Sequence, residues 1–182
     1  MGETQKAKAR REREGFFEKY VDLNRPGIDI GCQHDPLNAI FRRYDLIFGD
    51  GDCTEMADCP DAAFGTVYAS HVLEHVHEPV KALQNWWRIL APGGNLIVSV
   101  PHRDLYEKKL ELPSNWNFDH KWFWLPDRNE APHTLSFKAV IEQATQNANI
   151  VYFKVCDEGW TDVGPLSHST GEFSIEAVVK KP

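Results

Sequence analysis

Residues 68–101 read YASHVLEHVHEPVKALQNWWRILAPGGNLIVSVP and contain a strand, a helix and a second strand in one run. Residues 63–70 are β-branched and aromatic in their centre, which predicts a strand. From Pro79, which suits a first helical turn, apolar residues recur every three or four positions and predict a helix. The PGG triplet ends this helix. Residues 95–101 then form a near-continuous apolar run, typical of a central parallel strand covered on both faces.

The residues before this run add a helix and a first strand. The apolar residues between positions 8 and 23 follow helical spacing and predict an amphipathic helix. The segment GIDIG at 27–31 predicts a short buried strand that closes on glycine and leads into a turn. A second strand at 39–41 and a short helix over 36–43 explain the next segment almost equally well, and both remain open.

The C-terminal part continues the alternation of helix and strand. A helix that begins at Thr134 or Ser136 is expected to run through Ala148, followed by strands near 150–156 and 172–180. The alternation predicts an α/β fold with a Rossmann-like, doubly wound sheet. This sheet should be mostly parallel, with an antiparallel C-terminal strand, and abbreviated between its first and third strands. Its strand ends should face one edge, where such folds bind ligands.

The chain of 182 residues is expected to form a single domain, 1–182. Its charged start, residues 1–14, is interpreted as a frayed and solvated helix start, with a phosphate-binding arm as the alternative. Residues 102–133 are rich in tryptophan, proline, histidine and charge, and they lack periodicity. Long irregular segments of this kind are typical of lids or binding loops.

Charge, apolar content and cysteine spacing indicate which partners and which cell compartment to expect. A net charge of −7 argues against a duplex nucleic-acid partner, which usually faces a basic surface. No stretch approaches the roughly 18 apolar residues of a membrane helix, and the N-terminus lacks the apolar core of a secretory signal. We therefore expect no membrane partner and a cytoplasmic location. The four cysteines show no CxxC pairing and are interpreted as reduced thiols.

The segment HVLEH at 71–75 contains the H-x-x-E-H pattern of inverted zinc peptidases. Zinc would require His71 and His75 one turn apart on a long helix, with a third ligand downstream. Here a strand ends at Ser70 and Pro79 begins the next helix, so the helical context is too short. The sequence therefore predicts no metal site.

With its neighbours, the same segment gives an ordered pattern: a strand, S-x-x-L-E-H, a helix that ends in R-x-L-x-P-G-G, and a strand that ends in V-P. The pattern resembles the class I, Rossmann-like, S-adenosylmethionine-dependent methyltransferases of the small-molecule and sugar-modifying type. The resemblance covers residues 27–101 and implies methyl transfer to a small acceptor, such as a sugar or polysaccharide precursor. The matching residues are Ser70, His71, Leu73, Glu74, His75, Arg88, Leu90, Pro92, Gly93, Gly94 and Pro101, together with Asp29, Gly31 and Asp52.

The resemblance implies a binding site for S-adenosylmethionine. The loop after the first strand would wrap the methionine part of the cofactor, and its residues here are Asp29, Gly31, Cys32 and Gln33. An acidic residue after the second strand would hold the ribose. The residue after the third strand would meet the adenine amine. The candidates are Asp45 for the ribose, with Asp50 as the alternative, and Asp52 for the adenine, with the backbone amide of Cys53.

Ser70 and His71, which follow the fourth strand of this pattern, would line the cavity beneath the sulfonium. A hydroxyl acceptor needs a base to remove its proton. His102 directly follows a strand and is the first candidate. His71, His120 and Asp104 are the others.

An aromatic group in the 102–133 segment has two interpretations. Its members could form a flat platform for a sugar ring. More often, aromatic residues in such segments are packing residues or a contact between two copies of the chain in a homodimer. The group comprises Trp116, Trp122, Phe123 and Trp124.

The sequence departs from the family pattern in two ways. Gln33 and Asp35 stand where glycines are common in the first loop. The stretch between Asp35 and Asp52 is too short for the usual helix, strand, helix and strand. We therefore expect a cofactor site that is open or abbreviated on its adenine side. The alternative function is a non-catalytic, Rossmann-like binding or scaffolding module with a degenerate cofactor loop.

Overall fold

The computed structural model describes residues 3–146, 148–165 and 167–182. Residues 1 and 2 of the charged start and residue 147 of the predicted C-terminal helix lie outside the described residues. The helices are α1 Glu3–Lys6, α2 Lys8–Arg13, α3 Phe16–Tyr20, α4 Pro79–Ile89 and α5 Phe137–Ala144. The strands are β1 Gly27–Ile30, β2 Arg42–Tyr44, β3 Phe64–Ser70, β4 Leu90–Pro101, β5 Phe123–Leu125, β6 Thr134–Ser136, β7 Asn149–Cys156 and β8 Ser174–Lys180.

Within the described residues, six strands form one sheet in the order β2-β1-β3-β4-β8-β7. The first four pair in parallel, and β8 pairs antiparallel with both β4 and β7. This confirms the predicted mostly parallel sheet with an antiparallel C-terminal strand. The carboxyl ends of β1, β2, β3 and β4 therefore lie at one edge of the sheet, where the site is built.

The sheet is abbreviated on the β2 side. In the described chain, residues 31–41 contain no helix, and the segment between β2 and β3 contains only a short 3-10 turn, Leu46–Phe48. Asp52 lies in this segment, before β3. The expectation that it follows a third strand is therefore wrong, because a chain this short between Tyr44 and Phe64 folds as turns instead of an extra strand.

Several predicted boundaries are also corrected. The predicted helix over 8–23 is two short helices, since Gly15 between them has a left-handed φ of 61°. The second strand begins at Arg42, directly after the predicted strand at 39–41, and the residues of the alternative helix over 36–43 form no helix. Strand β4 already begins at Leu90 and runs through the PGG triplet. Ser136 caps α5, where its hydroxyl accepts a hydrogen bond from the amide of Ala139 at 3.2 Å.

The core beneath the site is built on α4, whose predicted apolar stripe is confirmed. Ala82, Leu83, Trp86 and Ile89 are fully buried against the sheet. The indole Nε1 of Trp86 donates to the carbonyl of Cys53 at 2.8 Å. This bond fixes the turn-rich segment after β2 to the core, although the segment has no strand or α-helix of its own.

The charged N-terminus is anchored on the sheet. Arg10 and Arg11 are 2% and 1% exposed. The guanidinium of Arg10 donates to Glu172 at 3.0 Å and to Glu176 at 3.2 Å. Arg11 donates to Glu176 at 2.9 Å. The interpretation of this segment as solvated, or as a phosphate-binding arm, is wrong for these two residues, because their guanidinium groups form buried ion pairs with carboxylates.

The 102–133 segment is partly ordered by a second, two-stranded parallel sheet of β5 and β6. Phe123 and Trp124, both in β5, are 1% and 0% exposed, and Trp124 packs in the main core against Phe137. Trp116 donates its Nε1 to the carbonyl of Tyr106 at 2.9 Å. The packing interpretation is therefore correct for Phe123 and Trp124. No helix of the described residues is long and apolar enough to cross a membrane.

Candidate functional site

Two adjoining cavities lie at the carboxyl edge of the parallel strands. The larger, of about 670 Å³, is bounded by the turns that follow β2. The smaller, of about 560 Å³, is bounded by the loop after β1 and by the 102–133 segment. Residues that line both are Gly31, Gln33, His71, His75 and Asn117. A ligand that extends from one cavity into the other therefore passes these side chains.

The loop after β1 makes a turn that requires glycine at Gly31. Its φ is 69°, and a Cβ there would lie 2.3 Å from Cγ2 of Val72. Its amide donates to the carbonyl of Tyr44 at 2.8 Å, which fixes the loop to β2. Gln33 also has a left-handed φ, 45°, and donates its amide to Asp45 Oδ2 at 3.0 Å. Burial raises the pKa of the neighbouring Cys32 thiol to about 11, so it is protonated at neutral pH.

The three acidic candidates after β2 have different positions. Asp45 lines the larger cavity directly after the strand, and its carboxylate accepts from the amides of Ile47 and Gln33, both at 3.0 Å. Asp50 lies behind it and accepts from the amide of Asp45 at 3.0 Å. Asp52 and Cys53 line the same cavity. Of the two alternatives for the ribose, the structure places Asp45 at the cavity wall.

Asp29, on β1, is 1% exposed and lines the smaller cavity. Its Oδ2 accepts from the amide of Leu37 at 2.6 Å, which holds the loop after β1. Burial raises the pKa of Asp29 from 3.8 to about 7, against the opposing effect of that hydrogen bond. Near neutral pH this carboxyl is therefore poised between its two protonation states.

The Asp29 pKa predicts a pH dependence of stability. Because the folded state holds this proton up to about pH 7 and the unfolded chain loses it near pH 3.8, folding binds a proton between these values. The free energy of unfolding of wild type should fall by on the order of 4 kcal/mol as the pH rises from 4 to above 7. In Asp29→Asn this fall should be absent. Urea unfolding of both proteins at pH 4 and pH 8 measures it. Equal pH slopes would contradict the prediction.

Ser70 and His71 end β3 and line the smaller cavity, with His71 at the junction of the two. His71 has a φ of 55°, an uncommon conformation for a residue with a side chain, of the kind that clusters at functional sites. Its ring Nε2 lies 2.8 Å from the hydroxyl of Ser174. Burial lowers the pKa of His71 to about 3, so the imidazole is neutral.

The 102–133 segment brings His120 to this cavity. The amide of Lys121 donates to the carbonyl of Glu74 at 2.7 Å, which attaches the segment to the loop after β3. The Nδ1 of His120 lies 2.5 Å from Oε1 of Glu107, and both side chains are buried. Sequence reasoning missed Glu107, because an acidic residue in a charged, aperiodic segment looks like ordinary surface.

Two predicted catalytic residues, His102 and Asp104, lie outside both cavities. Strand pairing continues through His102, whose amide donates to the carbonyl of Phe173 at 2.7 Å. Its Nδ1 accepts from the amide of Asp104 at 3.1 Å. The Asp104 carboxylate pairs with Arg103 and borders a separate groove. Both residues follow β4 in sequence, which suggested that they face the site. Side chains alternate in direction along an extended chain, however, so a position after a strand does not fix which way a side chain points.

The doubly wound sheet, with its glycine turn and carboxylates at the carboxyl edge, defines a Rossmann-like domain with a nucleotide-type cofactor site. Residues 1–137 match the model of the family described as "Methyltransferase domain", and the chain belongs to that family. The chain is 26% identical over 178 residues to a demethylmenaquinone methyltransferase of Renibacterium salmoninarum, covering 90% of this chain and 69% of that protein.

Solved structures share the fold. A SAM-dependent methyltransferase from Archaeoglobus fulgidus matches with a TM-score of 0.58 at 17% identity, over 99% of this chain and 95% of that one. Another, from Thermotoga maritima, matches with a TM-score of 0.55 at 16% identity, over 100% of both chains. The family and these relatives together support a methyltransferase that uses S-adenosylmethionine.

Proposed function

We propose that the protein transfers a methyl group from S-adenosylmethionine to a small polar acceptor that carries a hydroxyl group, with sugars and polysaccharide precursors as the first class to test. One observation carries the proposal: a cavity lined by Asp45 and Asp52 adjoins a second cavity lined by imidazoles and Glu74. The first has the features of a nucleoside site and the second those of an acceptor site.

The residues present fit the cofactor. The turn at Gly31, which lines both cavities, packs directly on Val72 and has no room for a side chain there. Asp45 offers carboxylate oxygens for ribose hydroxyls, and Asp52 with the amide of Cys53 suits the adenine edge. Gly31, Cys32 and Gln33 would hold the methionine part. When bound, the cofactor supplies an electrophilic methyl group on a sulfonium sulfur.

The protein's own contribution is alignment and proton removal. Two of the predicted bases, His71 and His120, line the acceptor cavity, whereas His102 and Asp104 do not. Ser70 and Asn117 add polar groups to the same wall, which suits a hydroxylated acceptor. The buried Glu107 holds the ring of His120 in one orientation.

Substitution of Asp45 tests the cofactor site. We expect Asp45→Asn to weaken binding of S-adenosylhomocysteine about tenfold, because a hydrogen bond to a charged group contributes about 1.5 to 3 kcal/mol and the amide retains part of it. Titration calorimetry without added metal measures the affinity. Asp61→Asn, at a side chain that is 76% exposed, is the matched control and should bind as wild type does.

Absence of saturable binding by wild type at millimolar ligand would overturn the proposed function. Binding without methylation of any acceptor in a broad panel would favour the alternative, a binding or scaffolding module. The panel should contain sugars, nucleotide sugars, small phenols and demethylmenaquinone, the compound in the name of the Renibacterium relative.

A further inference from the structure

A cluster of three potential metal ligands lies in the acceptor cavity. One ligand atom from each of Glu74, His75 and His120 lies within 4.8 Å of the others. Glu74 and His75 come from the 3-10 turn Leu73–His75, which follows β3, and His120 comes from the 102–133 segment. Because these parts are distant in sequence, the H-x-x-E-H pattern does not reveal the set: His71, its first histidine, is not in the cluster.

The distances inside the cluster suit a bridging ion better than direct hydrogen bonds. Oε1 of Glu74 lies 3.9 Å from Nε2 of His75. This distance exceeds the upper limit of about 3.2 Å for a hydrogen bond. Ligands that share an ion at about 2.1 Å each lie about 3 to 3.5 Å apart, so small side-chain shifts would complete the site.

Both histidines of the cluster are held by carboxylates through their other ring nitrogen. The Nδ1 of His75 lies 3.1 Å from Asp119, and the Nδ1 of His120 lies 2.5 Å from Glu107. This leaves Nε2 of each ring for a ligand. Metal-binding histidines almost always have such a carboxylate or carbonyl partner, which fixes the tautomer and the ring orientation.

Charge gives an independent reason for a cation. Glu74 and Glu107 are each 1% exposed; Glu74 lies beside His75, and Glu107 lies beside His120. Oε2 of Glu107 is buried and has no hydrogen-bond partner among the described residues. An uncompensated buried carboxylate is unfavourable, and a positive ion bound by His120 would offset its charge.

We propose that Glu74, His75 and His120 bind a divalent transition-metal ion of the zinc, manganese or iron class. Two imidazoles and one carboxylate suit these ions, whereas magnesium and calcium prefer oxygen ligands alone. Three protein ligands leave coordination positions open toward the cavity, as in catalytic metal sites. This departs from the sequence prediction of no metal, which considered only a helix-borne pair of histidines.

The role of the ion rests on the proposed function, although its binding does not. An ion here would bind the oxygen of an acceptor hydroxyl and lower its pKa, so that the proton leaves before the oxygen attacks the methyl carbon. His120 is then a ligand, and the released proton passes to water in the open cavity. The new bond joins the acceptor oxygen to the methyl carbon as the bond from that carbon to sulfur breaks.

Metal titration of chelator-treated protein tests the site directly. We expect calorimetry with zinc to show one saturable site in wild type, and cobalt to give the visible absorption of a nitrogen- and oxygen-bound ion. Glu74→Gln and His120→Asn should lose this binding. Glu107→Gln should weaken it about 10- to 100-fold, as substitutions of partners behind metal ligands do. His102→Asn, a histidine outside the cavity, is the control and should bind as wild type does.

The proposal is overturned if wild type shows no saturable site, or if Glu74→Gln and His120→Asn bind metal as tightly as wild type. If these variants fail to fold, anomalous diffraction from wild-type crystals soaked in zinc decides. Density between Glu74, His75 and His120 supports the site, and density only elsewhere overturns it. Titration with S-adenosylhomocysteine on the same metal-free protein separates the two proposals, since it tests the cofactor cavity alone.

Discussion

Arg11→Met is expected to lower the free energy of unfolding by about 3 to 5 kcal/mol, the range for removal of one partner from a buried ion pair. The guanidinium of Arg11 donates to Glu176 and, at 2.9 Å, to the hydroxyl of Tyr68. Side chains of Arg11 and Glu176 are each 1% exposed. Because Arg10 still pairs with Glu176, the lower end of the range is expected. Urea unfolding followed by circular dichroism measures the change.

Arg13→Met is the matched control for this prediction. Arg13 pairs with Glu158 on the surface, where both side chains are more than half exposed. Exposed ion pairs contribute about 0 to 1 kcal/mol, so the control should unfold almost as wild type does. Similar losses for both variants would show that the N-terminal arginines act through general charge and not through burial.

The sequence predicted most of the sheet because its strands are buried on both faces. Residues 64–70 and 95–101 are almost uniformly buried and rich in apolar side chains. The helix between them, α4, carries a clear apolar stripe. The second strand was misplaced, since β2 reads Arg-Arg-Tyr and two of its three residues are exposed. The burial of Arg10 and Arg11 was missed for a related reason: their partner Glu176 lies more than 160 residues away.

The candidate site was predicted in part. The glycine turn, Asp45 and His71 could be assigned because they directly follow strands, and parallel strands bring such residues to one edge. Glu107 and the pairing of His120 with Glu74 and His75 depend on the path of the 102–133 segment. That path is set by single contacts, such as the bond from the amide of Lys121 to the carbonyl of Glu74, which leave no periodic signal.

Gly31→Ala is expected to weaken binding of S-adenosylhomocysteine about 30- to 1,000-fold, equivalent to about 2 to 4 kcal/mol. The added methyl group would lie 2.3 Å from Cγ2 of Val72, in addition to the left-handed φ of 69°. Overpacking of this kind costs about 1 to 3 kcal/mol, and backbone strain adds to it. Relief requires the loop to move, and this loop separates the two cavities.

Two further variants separate these causes. Gly93→Ala has nearly the same φ, 71°, but nothing lies within 4 Å of the added atom. It should lose some stability and keep wild-type affinity for S-adenosylhomocysteine. In the double variant Gly31→Ala, Val72→Ala the clash is removed, so we expect most of the affinity to return. If the double variant binds as weakly as Gly31→Ala, strain at the turn and not contact with Val72 controls the cofactor site. If Gly31→Ala binds as wild type does, the turn after β1 does not shape that site at all.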